Sequence, residues 1–160
     1  IESAANSQNL TYSFIFHSLF VALGKMKTMI QATELRIGNY LTYHTPDDTD
    51  MPCKIDAQDI LNISTNYMHN AEIHSPIPLT EEILLKCGFE KDEVVKCLYH
   101  LKIGNIIISI TIEGSDVLDV TFANTNITGV SIDTESCLYL HGLQNITHAL
   151  TNTELNNITL

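Results

Sequence analysis

Residues 94–132 read VVKCLYHLKIGNIIISITIEGSDVLDVTFANTNITGVSI. Gly104-Asn105 between two apolar runs is a two-residue hairpin signal. Residues 113–116 and 123–126 are further polar turns. The intervening stretches, 94–101, 106–112, 117–122 and 127–132, read as strands, and 137–140 as one more. Short turns between consecutive strands predict an antiparallel meander of four or five strands with one face covered.

Two short helices are available to cover it. Pro76 and Pro78 fix an extended entry into the first. Thr80 is a good N-cap, and Glu81 and Glu82 stand in the first turn, where the helix dipole favours negative charge. Ile83, Leu84 and Leu85 supply the apolar face, Lys86 closes the last turn, and Gly88 is placed as the left-handed residue after it. Two turns are not stable alone, so this helix, near 80–87, must pack on the sheet. The second, near 142–151, carries Leu143, Ile146 and Leu150 at helical spacing and ends at Asn152. Residues 154–160 read as a tail.

On the other side, Leu35, Ile37, Tyr40 and Tyr43 form a strand-like pattern bent at Gly38-Asn39. Residues 44–52 are a polar loop, Ile55, Ala57, Ile60, Leu61 and Ile63 suggest one or two short strands, and 66–75 has little pattern. The expected fold is α+β: an antiparallel meander with two short helices on one face. A small, strongly bent β subdomain over 33–64, like the start of an SH3-like barrel, precedes the helix-sheet-helix part over 76–155.

The chain has 160 residues and a net charge of −11, which argues against a general phosphate-backbone binder. No Lys or Arg follows Lys102, while Glu113, Asp116, Asp119, Asp133, Glu135 and Glu154 do. Such a surface is either simply solvated or attractive to a basic partner. Cys53, Cys87, Cys97 and Cys137 have no metal or redox spacing and read as free thiols in a reducing compartment. Residues 10–23 are mostly apolar but too short to span a bilayer, and only Glu2 is charged before them. Residues 1–25 therefore read as an upstream extension or leader, with a start at Met26 or Met29, which predicts a cytoplasmic single domain over 26–160 and no membrane contact.

Three segments carry a resemblance. They are Glu34-Leu35-Arg36-Ile37-Gly38-Asn39-Tyr40, then Ile77-Pro78-Leu79-Thr80-Glu81-Glu82-Ile83-Leu84-Leu85-Lys86-Cys87-Gly88-Phe89, then His141-Gly142-Leu143-Gln144-Asn145 leading to Ala149-Leu150-Thr151. Their order and combination resemble a group of small uncharacterised proteins of Bacteroidales gut bacteria, their prophages and phages. The resemblance spans 33–155 and implies a source but no established activity. The chain departs from the group's pattern at Ile83, where the group has Trp, at Cys87, where it has Phe, and at Asn152, where it has Gly. Ile146-Thr147-His148 stands for a Leu-Tyr-Phe. An aromatic pair lost there reduces buried area or marks a lost partner contact.

Candidate chemistry is sparse. His44, His69 and His74 with Asp47, Asp48 and Asp50 are a conceivable metal site or simply exposed loop residues. The Asp47–Asp50 run lacks the glycine and terminal glutamate of a calcium loop. His141 and His148 are about 10 Å apart along a helix, too far for one ion. His141 suits a hydrogen-bonding role at the strand-to-helix turn. Gln144 and Asn145 read as a solvent-facing polar face or a contact patch. Arg36, the only arginine, suits an ion pair with Glu34 or an acidic neighbour across the sheet, or a bound carboxylate or phosphate. Five N-x-S/T sequons, at Asn9, Asn62, Asn126, Asn145 and Asn157, carry no glycan meaning without secretion. No nucleotide-binding, zinc-protease or serine-hydrolase motif is present.

These features point to a non-enzymatic interaction protein of a phage or mobile element, with an unidentified protein partner and no cofactor. An acidic mimic of DNA that inhibits a host nucleic-acid enzyme is the second reading. A small metal-binding or enzymatic protein using His and Asp loops is the third. Arg36, Gly38, Asn39, Thr80, Glu81, Glu82, Gly88, His141, Gln144 and Asn145 are the candidate interaction or structural residues.

Overall fold

Strict alternation along the isoleucine run sends Ile108, Ile110 and Ile112 to one side, where all three are buried. They lie on β6 (Ile106–Glu113), the middle of a five-stranded antiparallel sheet ordered β4-β5-β6-β7-β8. The others are β4 (Glu90–Lys91), β5 (Leu98–Ile103), β7 (Asp116–Asn124) and β8 (Ile127–Ile132). The computed structural model describes residues 29–155 except Asp48, residues 68–72, Ser115, residues 125–126 and Asp133. The expected α+β meander is observed, and the Gly104-Asn105 turn pairs Ile103 with Ile106. Thr111 pairs with Asp119 but Ile112 with Val117, so Leu118 is the extra residue of a bulge and is exposed.

The covered face packs Tyr99, Ile108, Ile110, Val120 and Phe122 against two helices. They are α2 (Glu81–Lys86), with Leu84 buried, and α3 (Leu140–Thr151), with Leu140 and Leu143 buried. Each such side chain contributes about 2 kcal/mol of burial. Thr80 Oγ1 accepts the Ile83 N–H at 3.3 Å, as its N-cap position predicts. At the other end Gly88 has φ +87°, with Phe89 N–H bonded to Leu84 C=O and Gly88 N–H to Leu85 C=O, both at 3.0 Å. This is a Schellman closure. A β-carbon on Gly88 would lie 3.9 Å from Leu101, ordinary contact, so the backbone angle alone penalises a side chain. Gly88→Ala should cost about 1 kcal/mol, read as a lower urea midpoint at unchanged slope. Asn152 ends α3 with φ +51°, the left-handed stop expected of it.

A smaller sheet, ordered β2-β1-β3, precedes the meander: β1 (Tyr40–His44), β2 (Asp50–Lys54) and β3 (His74–Pro76). Leu41 and Cys53 are register partners facing a second core with Ile30, Ile55 and Ile63. Here the sequence reading needs correction. The apolar residues after Ile55 form a helix, α1 (Ala57–Ser64), not strands. Asp56 accepts the Gln58 and Asp59 N–H groups at 2.7 and 2.9 Å, and Asp59 accepts the Asp56 N–H at 2.9 Å. That capping box starts a helix whose Ile60 and Ile63 then share one face. The smaller unit is therefore a three-stranded sheet plus a helix.

Three further differences have local causes. β5 starts at Leu98 because Asp92 Oδ1 caps the Val94 and Val95 N–H groups and folds 92–95 into a turn. Instead of a strand over 137–140 there is a 3-10 turn, Thr134–Cys137, and a bridge between Tyr139 and Pro78. Flanking bonds, Leu79 N–H to Leu138 C=O and Leu140 N–H to Ile77 C=O, tie the entries of α2 and α3 together. Finally, α3 buries Leu140, His141, Leu143, Gln144 and Thr147, while Leu150 is exposed. Its buried surface is rotated from the Leu143-Ile146-Leu150 stripe because it includes a polar strip. Among the described residues no helix is long and apolar enough to cross a membrane.

Candidate functional site

The polar strip of α3 faces the segment that enters β1. Arg36 to Asn39 is a tight turn closed by the Asn39 N–H to Arg36 C=O bond at 3.0 Å. Gly38 sits third in it at φ +94°, the conformation a type II turn requires there. Gly38 N–H bonds to Ile55 C=O and Ile55 N–H to Asn39 C=O, each at 2.8 Å, so the turn is fastened to the end of β2. Asn39 Oδ1 accepts the Arg36 N–H at 2.6 Å.

Gln144 locks this turn to the helix. Its Oε1 accepts the Tyr40 N–H at 2.9 Å and its Nε2 donates to the Gly38 C=O at 3.3 Å. That pairing fixes the amide orientation, because the opposite one would set donor against donor. Asn39 Nδ2 donates to Asn145 Oδ1 at 3.0 Å, and Asn145 Nδ2 to the Glu34 C=O at 2.8 Å. Gln144 and Asn39 are buried, so Gln144 is not the solvent-facing residue one reading of the sequence made it.

Arg36 pairs with neither Glu34 nor a residue across the sheet. Its guanidinium donates to both Glu154 oxygens, at 2.6 and 2.8 Å. The paired carboxylate raises the Arg36 pKa, and the guanidinium holds the Glu154 carboxyl below its ordinary value. Glu154 and the buried Leu155 are thus packed against the seam rather than trailing as a tail. About a third of each charged side chain is exposed, so the pair's own stabilisation is at most about 1 kcal/mol. Its larger effect is to fix one wall of a cleft of about 240 Å³ lined by Ile37, Tyr40, Lys54, Gln144, Glu154 and Leu155. Ile37, at the tip of the locked turn, is 60% exposed.

His141 completes the seam. It is buried, stacked on Tyr139 with ring centroids 5.9 Å apart, and its Nε2 is 3.8 Å from Glu34 Oε2. Nδ1 has no hydrogen-bond partner among the described residues. Burial pushes its pKa down to about 4, and its place in the first turn of α3 also disfavours a positive charge. His141 is a neutral packing residue.

Thr80, Glu81, Glu82 and Gly88 stay apart from this cluster, at the ends of α2. Glu82 pairs with Lys86 at 2.9 Å. Glu81 accepts from Lys91 at 2.6 Å, and Lys91 lies 5.4 Å from the centre of the Tyr99 ring. Bonding to Lys91 lowers the Glu81 pKa and that to Glu81 raises the Lys91 pKa. All four residues serve the helix and its strand contact.

The histidines of the smaller sheet part company. His74 is buried with Tyr43, ring centroids 5.4 Å apart, on the face opposite His44, so the two cannot share an ion. His69 and Asp48 lie outside the described residues. Among the described residues no group of three His, Cys, Asp or Glu side chains could hold a metal. His44 instead bonds Asp50 and Ser75, a cluster that sequence reasoning did not find. Its only trace in the sequence is the hairpin spacing of His44 and Asp50. No family model, curated protein or solved structure matches the chain.

Proposed function

We propose that the chain is an accessory protein of a phage or other mobile element and acts by binding a protein partner at the seam cleft. The observation that carries this is the exposed Ile37 on a turn fixed from beneath by Gln144 and from the side by the Arg36–Glu154 pair. An apolar side chain on a fixed turn, lining the cleft with Lys54 and Leu155, is preordered at its backbone and loses less freedom on binding. The cleft has room for one or two partner side chains, not for a large ligand. The motifs that resemble the phage and prophage group support that source, and two of the three segments, those around Arg36 and around Gln144-Asn145, build this seam. Net charge −11 sets the partner against being bare nucleic acid.

The test is capture of partners from a host lysate on immobilised protein. Ile37→Asp should cut capture at least tenfold while the unfolding midpoint stays put. Val130→Asp, at an equally exposed residue on the far sheet, should leave capture unchanged. Undiminished capture with Ile37→Asp, or equal loss with both, would remove the cleft from the reading.

A further inference from the structure

We propose that Ser75 is an activated nucleophile, with His44 as its general base and Asp50 as the residue that positions the imidazole. This goes beyond the binding reading and does not depend on it. Register brings the three together. His44 on β1 is directly opposite Asp50 on β2. Ser75 on β3 is opposite Thr42, two residues from His44 and therefore on the same face. That face is the one turned away from the small core, since Leu41 and Cys53 occupy the other.

The distances make a relay. His44 Nδ1 is 2.6 Å from Asp50 Oδ1, and Nε2 is 2.8 Å from Ser75 Oγ. A carboxylate only accepts, so the neutral imidazole carries its proton on Nδ1 and offers the Nε2 lone pair to Ser75. The hydroxyl then donates to Nε2, the arrangement in which a serine proton can leave as Oγ attacks.

The chain contains its own comparison. His100 also touches a serine and an aspartate, but through the opposite nitrogens: Nδ1 to Ser109 at 2.9 Å and Nε2 to Asp92 at 3.3 Å. Asp92 is already engaged by the Val94 and Val95 N–H groups. That second cluster is longer at the carboxylate and tied to a turn. The His44 cluster has the shorter bonds, and Asp50 is its hairpin partner.

The chemistry is acyl transfer from a small ester. Ser75 Oγ bonds to the carbonyl carbon as its proton passes to His44 Nε2. The bond to the leaving oxygen breaks and that oxygen takes the proton from His44, releasing an alcohol. Water then attacks the acyl-serine, giving up a proton through His44, and the acid leaves with Ser75 restored. An activated ester or a fluorophosphonate demands least of oxyanion stabilisation, so these are the probes to use.

The full chain should be incubated with an alkyl fluorophosphonate and followed by intact mass and peptide mapping. One adduct per chain is expected, on Ser75. Ser75→Ala should abolish it, His44→Gln should slow it at least a hundredfold, and Asp50→Asn about tenfold, with Asp50→Glu recovering part of the rate. Ser109→Ala should label normally, and p-nitrophenyl acetate should show the same ranking. An adduct on Ser109, a tyrosine or a lysine, or none on Ser75, overturns the proposal. So does labelling of Ser75 that His44→Gln leaves unchanged, since that would be a serine reacting without a base. Mapping on the unaltered chain decides the site even if a variant fails to fold.

Discussion

Gln144→Met is expected to destabilise the fold by about 3 kcal/mol. Methionine matches glutamine in length and helix preference, so neither a cavity nor a propensity change confuses the result. What disappears is the partner of the Tyr40 N–H and of the Gly38 C=O. Both lie in the turn packed under α3, where Asn39 and Gln144 are buried. A buried backbone group left unpaired costs about 1–3 kcal/mol, and the two left here are partly buried beside the cleft, so each falls toward the lower end. The Asn39 amide also loses its second contact, at 3.5 Å to Gln144 Oε1. Urea unfolding should show the loss as a lower midpoint, and hydrogen exchange should show the Tyr40 amide losing protection first. Asn145→Ala should be milder, about 1 kcal/mol, because solvent can replace its bond to Glu34 and the Asn39 amide it also frees keeps its contact with Gln144 Oε1. If the two variants cost the same, the seam is not locked by Gln144.

The elements that announce themselves locally were legible in the sequence. Thr80 and Gly88 mark both ends of α2, Gly104-Asn105 marks the β5–β6 hairpin, and Asn152 stops α3. α1 carried an equally local signal, Asp56 and Asp59 three apart, but the isoleucines around it also suit a strand. In a short window that choice turns on the cap rather than on the apolar residues. The seam was not legible for a different reason. Gln144 and Gly38 are 106 residues apart, and Arg36 and Glu154 are 118 apart. Periodicity scores a buried glutamine as solvent-facing and a post-helical glutamate as tail. The residues themselves could be singled out, since Arg36, Gly38, Asn39, Gln144 and Asn145 all carry the resemblance, yet their partnership needed the fold. The His44 relay needed still more, the register of two strand pairs.

The seam also relocates the acidity. Glu154 counted among the unopposed carboxylates after Lys102, and it is neutralised by the chain's only arginine. Glu113 and Asp116 face each other across the β6–β7 hairpin, with Asp119 two pairs further along β7. Those three carboxylates therefore share one hairpin end, and none of them lines the cleft proposed to hold a partner.

Stability should fall by about 3 kcal/mol as the pH is lowered from 6.5 to 4, through His141. Burial lowers its folded pKa to about 4, against an ordinary value of 6.5 in the unfolded chain. Above 6.5 both states are neutral there and the group contributes no pH dependence. Between the two values the unfolded chain binds a proton that the folded one refuses, so acid favours unfolding. Below about 4 both states are protonated and the slope ends. The carboxyl of Glu34, 3.8 Å from Nε2, is the charged group that opposes this shift, but it is half exposed and weakened by solvent. The depressed carboxyls of Glu81, Asp92 and Glu154 push the same way, yet only below their ordinary values, 4.5 for the glutamates and 3.8 for the aspartate. The interval from pH 4.5 to 6.5 is therefore the window in which His141 acts without them. Urea midpoints for the unaltered chain and for His141→Met, compared across that interval, isolate its contribution. The variant should flatten the pH dependence by about 2–3 kcal/mol, whatever its stability at pH 7. Parallel curves would mean that His141 accepts its proton in the folded chain, with Glu34 and not burial setting its charge.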